Sequence, residues 1–252
     1  MQQDYYHNKN ILVLGSSFGI GEDLSRQLDK LGANLALVAR SQEKLTALNN
    51  SLNNRHIVIT ADANNTADLH NLAKSLTQTW QHIDIVLFCA GTYTPMNINN
   101  FHLAIAQELI ANNLNTCLNF IEAFLPWLQS SRVKHLAIIS STAGYFGMPN
   151  SLAYGASKAA LSNFTESLYY ELKQYKTKVQ LISPGFVKTR LTAKNSFKMP
   201  GIISSQQAAK QIIKQLPKSR FEIALPFVFT RVMKLLSLLP YKIRLWIFSL
   251  MK

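Results

Sequence analysis

The chain has 252 residues, 48% of them hydrophobic, and carries 26 Lys/Arg against 13 Asp/Glu. Such a length and composition suit one large α/β domain and exclude global disorder. The charge is lopsided: residues 1–171 hold 10 basic and 12 acidic side chains, whereas residues 172–252 hold 16 basic ones and a single acid, Glu222.

The N-terminal MQQDYYHNKN is polar and lacks the basic-then-apolar order of a secretory leader. Cys89 and Cys117 form no spacing framework and fit a reducing compartment, so the expected location is the cytoplasm. The six histidines are scattered without metal-ligand spacing, and no metal site is expected.

The first apolar run, ILVL (11–14), predicts a buried strand that ends in GSSFGIG (15–21). A helical pattern follows over Gly21–Leu31. Gly15, Gly19 and Gly21 suit a tight turn in which backbone approaches a pyrophosphate and the next helix aims its N-terminus at the phosphates. The spacing is G-x3-G-x-G rather than G-x-G-x-x-G, so its weight comes from its place after the first strand. LALVA (35–39) predicts the second strand, closed by Arg40. An acid near this position would bind a ribose 2′-hydroxyl, whereas a guanidinium accommodates a 2′-phosphate. Arg40 therefore favours NADP(H) over NAD(H), unless it merely ends a strand at the surface.

Further on, helical patterns at Ser41–Leu52, Ala67–Trp80, Ile98–Leu128, Leu152–Leu172 and Ser205–Leu216 alternate with strand runs HIVIT (56–60), DIVLF (84–88), HLAII (135–139), KVQLI (178–182) and FEIAL (221–225). This alternation predicts a single doubly wound Rossmann-like parallel sheet of about seven strands with helices on both faces. The strand runs are nearly continuously apolar, as strands covered on both faces should be. In the helix over Leu152–Leu172, AYGASKAA places Tyr154 and Lys158 one turn apart on the same face among small residues. A surface pair on an alanine-rich helix would satisfy the same spacing.

These motifs, in order, resemble the short-chain dehydrogenase/reductase family over residues 9 to about 225. The markers are GSSFGIG at 15–21, Asp62 after strand three, CAG at 89–91, Asn113, Ser141 in ISSTAG, YGASK at 154–158 and PGFVKT at 184–189. Ser141 lies thirteen residues before Tyr154, as in the family. The resemblance implies an NAD(P)(H)-dependent oxidoreductase working on a carbonyl/alcohol pair. It implies that Tyr154 is the general acid for reduction and the base for oxidation. Lys158 would lower the phenol's pKa, by roughly 1–3 units for an ammonium within a few ångströms, and hold the nicotinamide ribose. Ser141 would orient the substrate oxygen and Asn113 would hold a relay water, although Asn112 and Asn115 lie close enough to compete for that place. The implied cofactor contacts are Gly15, Ser17, Phe18, Gly19, Ile20, Gly21, Arg40, Asp62, Ala90, Gly91, Tyr154, Lys158, Pro184, Gly185, Val187 and Thr189. Leu14 stands where the family has threonine, and Phe88-Cys89 where it has two asparagines, so the bracing of the first turn departs from the pattern. Phe18 replaces a basic residue of some NADP-binding members, which leaves phosphate recognition mostly to Arg40.

Tyr145, Phe146 and Met148 follow Ser141 where the family's substrate wall lies and predict an apolar substrate. Residues 190–204, with Pro200-Gly201 near the end, predict a mobile lid. Beyond Leu225, residues 226–252 predict a separate basic-apolar tail split by Pro240 into two short helices. In the first, Arg231, Lys234 and Ser237 fall on one side and Val232, Leu235, Leu236 and Leu239 on the other. The tail has the composition of a segment lying in a membrane interface, at the cytoplasmic face, and equally of one that covers a substrate pocket or an oligomer contact. Its mixture of cations with long aliphatic chains excludes nucleic acid as the partner. The resemblance also implies a homo-oligomer paired through the helices that contain Asn113 and Tyr154. A nucleotide-binding sensor or scaffold without turnover is the alternative, although such relatives usually lose Tyr or Lys.

Overall fold

The structure is a computed structural model that describes residues 2–250 except Ser196 and Lys198. Lys252 of the predicted tail and those two residues of the predicted lid lie outside the described residues. All seven predicted strands form close to their apolar runs. They are β1 (Asn10–Leu14), β2 (Asn34–Ala39), β3 (Ile57–Thr60), β4 (Ile85–Phe88), β5 (His135–Ile139) and β6 (Lys178–Pro184), with the seventh after a short ribbon. That ribbon pairs β7 (Val187–Lys188) with β8 (Ile203–Ser204), and β9 (Glu222–Leu225) returns to the main sheet. The sheet runs in the order β3-β2-β1-β4-β5-β6-β9 and every pair in it is parallel.

The helices are α1 (Gln2–Tyr6), α2 (Gly19–Lys30), α3 (Gln42–Asn50), α4 (Thr66–Thr77), α5 (Leu103–Ile110), α6 (Thr116–Ala123), α7 (Leu125–Gln129), α8 (Leu152–Glu171), α9 (Ser205–Gln215), α10 (Phe227–Ser237) and α11 (Tyr241–Ser249). Alternate strand residues divide between two cores, because successive side chains point to opposite faces. Leu12, Leu14, Val86 and Phe88 pack with α4, α6 and α8. Ile11, Val13, Ile85 and Leu87 pack with α2, α3 and α9. α1 is absent from the sequence expectations; it is pinned by Tyr6, whose buried hydroxyl donates to the Ile213 carbonyl at 2.7 Å.

The predicted helix over Ile98–Leu128 is in fact broken. A 3₁₀ turn (Ile98–Asn100) is capped by Asn97, a π-helical stretch (Ala111–Asn115) follows α5, and Phe124 ends α6. Pro126 then sits in the first turn of α7, where its missing N–H costs nothing. The predicted split of the tail at Pro240 is observed.

In this strand order the chain reverses direction between β1 and β4, and a crevice opens there at the carboxyl ends of the strands. Everything described below stands around that crevice.

Candidate active site

Backbone crowding defines the cofactor end. A Cβ on Gly15, whose φ is +92°, would sit 2.9 Å from the Ala90 amide nitrogen, and a Cβ on Gly21 would come 2.2 Å from the Gly15 carbonyl oxygen. Only hydrogens fit, so β1, the turn and β4 close to within a backbone's width and leave the N-terminus of α2 open to the crevice. The turn is braced without the family's threonine. The Gly15 and Ser16 amides both donate to the Val38 carbonyl, at 2.8 and 3.2 Å, and the buried Ser16 hydroxyl donates to the same oxygen at 3.3 Å. Ser16 thus does what Leu14 does not, a role hidden in the sequence because it depends on β2. Gly21→Ala is expected to abolish cofactor affinity and to cost at least about 3 kcal/mol of stability, since the methyl meets backbone rather than a yielding side chain; thermal melts with and without cofactor measure both.

The crevice is one continuous cleft of about 410 Å³. Every catalytic and cofactor-contact residue expected lines it: Gly15, Ser17, Phe18, Gly19, Ile20, Gly21, Arg40, Asp62, Ala90, Gly91, Asn113, Ser141, Tyr154, Lys158, Pro184, Gly185, Val187 and Thr189. Arg40 is exposed at the end of β2, beside Ser41 and Lys44 of the α3 N-terminus, and both neighbours also line the cleft. Arg190 lies over the Phe18 ring, 4.4 Å from its centroid, and brings a cation to the glycine turn from the far side. Lys44 and Arg190 were not legible beforehand. Lys44 carries the weak signal of following Arg40 by one helical turn; Arg190 carries none.

At the other end, Tyr154 and Lys158 project from α8 into the same cleft. Lys158 is almost fully buried and donates from Nζ to the Ile139 carbonyl at 3.2 Å. Burial pulls its pKa down to about 8, with Cys117 and Cys89 pushing weakly the other way. The Tyr154 phenol stands above its ordinary value because of burial, and its hydrogen bond with Ser141 opposes that rise. The sequence expectation is therefore corrected: the phenol stands raised rather than lowered, and Lys158, whose Nζ donates to the Ile139 carbonyl, is not among the groups that shift it in this structure, whereas Ser141 opposes the rise. The Tyr154 ring packs edge-on against Tyr93, with centroids 4.7 Å apart.

Asn113 is the asparagine that meets Gly91 and Lys158, although Asn112 also lines the cleft. Its side chain is fully buried in the π-helical stretch, where the extra residue per turn rotates it inward. Oδ1 accepts from the Thr92 amide at 2.8 Å, while Nδ2 donates to the Thr92 carbonyl at 3.0 Å and to Ser157 Oγ at 3.1 Å. Both amide protons are used, which leaves one Oδ1 lone pair for a water. A Cβ on Gly91 would lie 2.8 Å from that Oδ1 and 3.3 Å from Lys158 Nζ, so the three groups meet. Asn112 instead bonds Asn64 at 2.8 Å and Glu108 at 3.3 Å, and Asn115 is exposed.

The substrate wall differs from the expectation. Met148 lines the cleft, but Tyr145 and Phe146 turn away from it. The Tyr145 hydroxyl donates to Glu222 at 2.6 Å, as does Ser183 at 2.7 Å, and Lys234 of α10 pairs with the same carboxylate. Burial pushes Glu222 up, yet the bonds from Lys234, Tyr145 and Ser183 prevail and hold it below its ordinary value. The only acid of the basic third thus fastens the tail to the sheet edge. Phe146 packs on Phe248 of α11 at 5.1 Å. The wall is built instead by Tyr93, Phe186, Leu191, Phe197 and, from the tail, Phe229 and Met233. Across the mouth, Asn195 accepts from the Tyr93 hydroxyl at 2.6 Å and Lys194 donates to the Tyr93 carbonyl at 2.9 Å, so these two residues of the expected lid are tied to the β4 side of the cleft.

The family model for short chain dehydrogenase matches residues 9–199. The chain belongs to the short-chain dehydrogenase/reductase family. An uncharacterized oxidoreductase of Staphylococcus epidermidis is 30% identical over 205 residues, covering 81% of this chain and 89% of its own. Among solved structures, a short-chain dehydrogenase/reductase from Burkholderia phymatum in complex with NAD superposes with a TM-score of 0.82 at 19% identity, over 91% of this chain and 93% of that one. A short chain dehydrogenase from Burkholderia cenocepacia in complex with NADP gives 0.81 at 20% identity, over 92% and 94%. This short-chain dehydrogenase/reductase is accordingly an NAD(P)-dependent oxidoreductase, and the glycine turn fits a dinucleotide: its close backbone packing leaves the N-terminus of α2 facing the cleft, where a pyrophosphate can be held.

Proposed function

We propose that this enzyme interconverts an apolar carbonyl compound and its alcohol, using NADP(H), at a membrane surface. The observation that carries the chemistry is the meeting of Ser141, Tyr154, Lys158 and Asn113 at one end of a cleft whose other end is the glycine cradle. The bound nicotinamide supplies the reducing equivalent to the carbonyl carbon. Tyr154 then delivers its phenolic proton to the developing alkoxide, and Ser141, bonded to the same phenol, orients the substrate oxygen. Lys158, buried beside Gly91 and Asn113, holds the ribose and passes the replacement proton inward through a water on Asn113 Oδ1. Asp62 and Ile20, which line the cleft with the glycine turn, would hold the adenosine half, and Pro184, Gly185, Val187 and Thr189, which line its other end, would hold the nicotinamide half.

Preference for the phosphorylated cofactor rests on Arg40 with Lys44 and Ser41 at the α3 N-terminus, a cationic site at the end of β2 without a carboxylate at Ala39. Arg40→Ala is expected to weaken NADPH about 10- to 100-fold, the worth of one charge-assisted hydrogen bond, and to leave NADH nearly unchanged. Fluorescence titration of both cofactors reads this directly. Equal losses for the two would remove the phosphate site. Tyr93, Phe186, Phe229 and Met233 support an apolar substrate. Exposed Leu118 and Leu125 next to Asn113's helix, with Tyr169 and Tyr170 on α8, support pairing into a homo-oligomer.

A further inference from the structure

The two tail helices keep different company on their two sides. Inward, Phe229 packs on Phe186 at 5.4 Å and, with Met233, walls the cleft, while Phe248 rests on Phe146. Outward lie Val228, Val232 and Leu235 of α10, Leu238 at its C-terminal cap, and Leu245 and Trp246 of α11, each 50–77% exposed. Val232 and Leu235 belong to the aliphatic side read from the sequence, and that side is exposed. Glu222 draws Lys234 toward the sheet edge and the aliphatic side faces out. Single exposed apolar residues are ordinary, but here ten of the twenty large ones exposed among the described residues fall within residues 226–250, eight of them on the two short helices.

Charge selects the occupant of that face. Residues 226–252 contain no acid. Arg231 lies over the Phe227 ring at 4.0 Å, and Lys242 is exposed next to Tyr241. A second copy of the chain would oppose these cations to themselves with nothing negative between. An anionic lipid surface accepts both the aliphatic stripe and the cations, and Trp246 and Tyr241 suit the headgroup boundary. Among the described residues no helix is long and apolar enough to cross a membrane, so such a contact lies in the surface.

We infer that the outer face of α10 and α11 docks this enzyme on anionic lipid and so brings the Phe229–Met233 wall of the cleft against the bilayer, from which an apolar substrate enters. This rests on the apolar-substrate reading above. The full-length protein is to be sedimented with phosphatidylcholine vesicles with and without phosphatidylglycerol. The bound fraction is expected to be about tenfold higher with the anionic lipid. Val232→Glu/Leu235→Glu/Trp246→Glu should reduce it about tenfold with circular dichroism and NADPH affinity unchanged, and Arg231→Glu/Lys242→Glu should erase the preference for charge. Failure to sediment with anionic vesicles overturns the docking, as does sedimentation that neither variant reduces. A dimer in light scattering that the triple variant dissolves, without vesicle binding, overturns it in favour of a second copy. Sedimentation needs no turnover, so a protein that sediments as expected yet reduces no ketone keeps the docking and loses the catalytic reading. For the entry route, a long-chain ketone carried in anionic vesicles should show a KM about tenfold lower for the native protein than for the triple variant, with a short soluble ketone unaffected. Equal KM values for the long-chain ketone overturn the route.

Discussion

Replacing Tyr154 by Phe is expected to lower the turnover number for ketone reduction about 10³-fold while NADPH affinity stays within about threefold. The substitution keeps the ring against Tyr93 and removes only the hydroxyl that shares a hydrogen bond with Ser141. The loss should therefore appear in turnover rather than in melting temperature or cofactor binding. The pH dependence has a definite sign. A phenol held above its ordinary pKa stays protonated through the neutral range, so the general acid is present at all ordinary pH values. Oxidation needs the same group as a base and should quicken as pH rises. Steady-state rates in both directions, set beside fluorescence titration of NADPH, measure this. A Phe variant that retained more than about a tenth of native turnover would remove Tyr154 from the proton transfer.

Lys158→Met should separate stability from catalysis, and in opposite directions. Burial brings the lysine from its ordinary 10.5 to about 8 in the folded state. Between those values the unfolded chain binds more protons, so the native protein gains stability as pH rises through that window. Below about pH 8 both states are protonated and the fold carries the full cost of a buried charge, on the order of 3 kcal/mol. Methionine fills the space without the charge but leaves the Ile139 carbonyl unpaired, which returns about 1 kcal/mol. The variant should then be about 2 kcal/mol more stable at neutral pH, with a melting temperature higher by roughly 4–8 °C, and the difference should shrink as pH rises and reverse above about pH 10.5, where only the lost hydrogen bond, about 1 kcal/mol, remains. Turnover should fall at least about 100-fold, because the proton path and the ribose contact both go. Melting curves of the two proteins from pH 6 to 11 and initial rates decide it. A variant less stable than the native protein at neutral pH would mean that the ammonium is well paired where it lies. Such a group, costly to the fold and retained, is what a functional site produces.

Much of this protein stands in its sequence because the determining physics is short-ranged. Seven apolar runs with helical stretches between them fix a parallel sheet covered on both faces, since strands buried on two sides need continuous apolar character. The glycines of 15–21 can be read as a cradle because backbone at such a turn admits no Cβ, and the four-residue spacing of Tyr154 and Lys158 is one turn of helix whatever surrounds it. Arg40 at a strand end likewise depends only on the strand before it. The family spacing named Asn113, but only the tertiary structure shows how it is held, in a π-helical turn that no periodicity announces and bonded to Thr92 and Ser157. Tertiary structure alone sent Tyr145 and Phe146 away from the substrate, for their partners, Glu222 and Phe248, lie 77 and 102 residues along the chain. It also fixed how the tail is anchored, since the single carboxylate at Glu222 holds Lys234 at the sheet edge while Val232 and Leu235 stay exposed. Local spacing encodes what a segment can become. Which of its faces is buried depends on distant groups, and those meet only when the chain has folded.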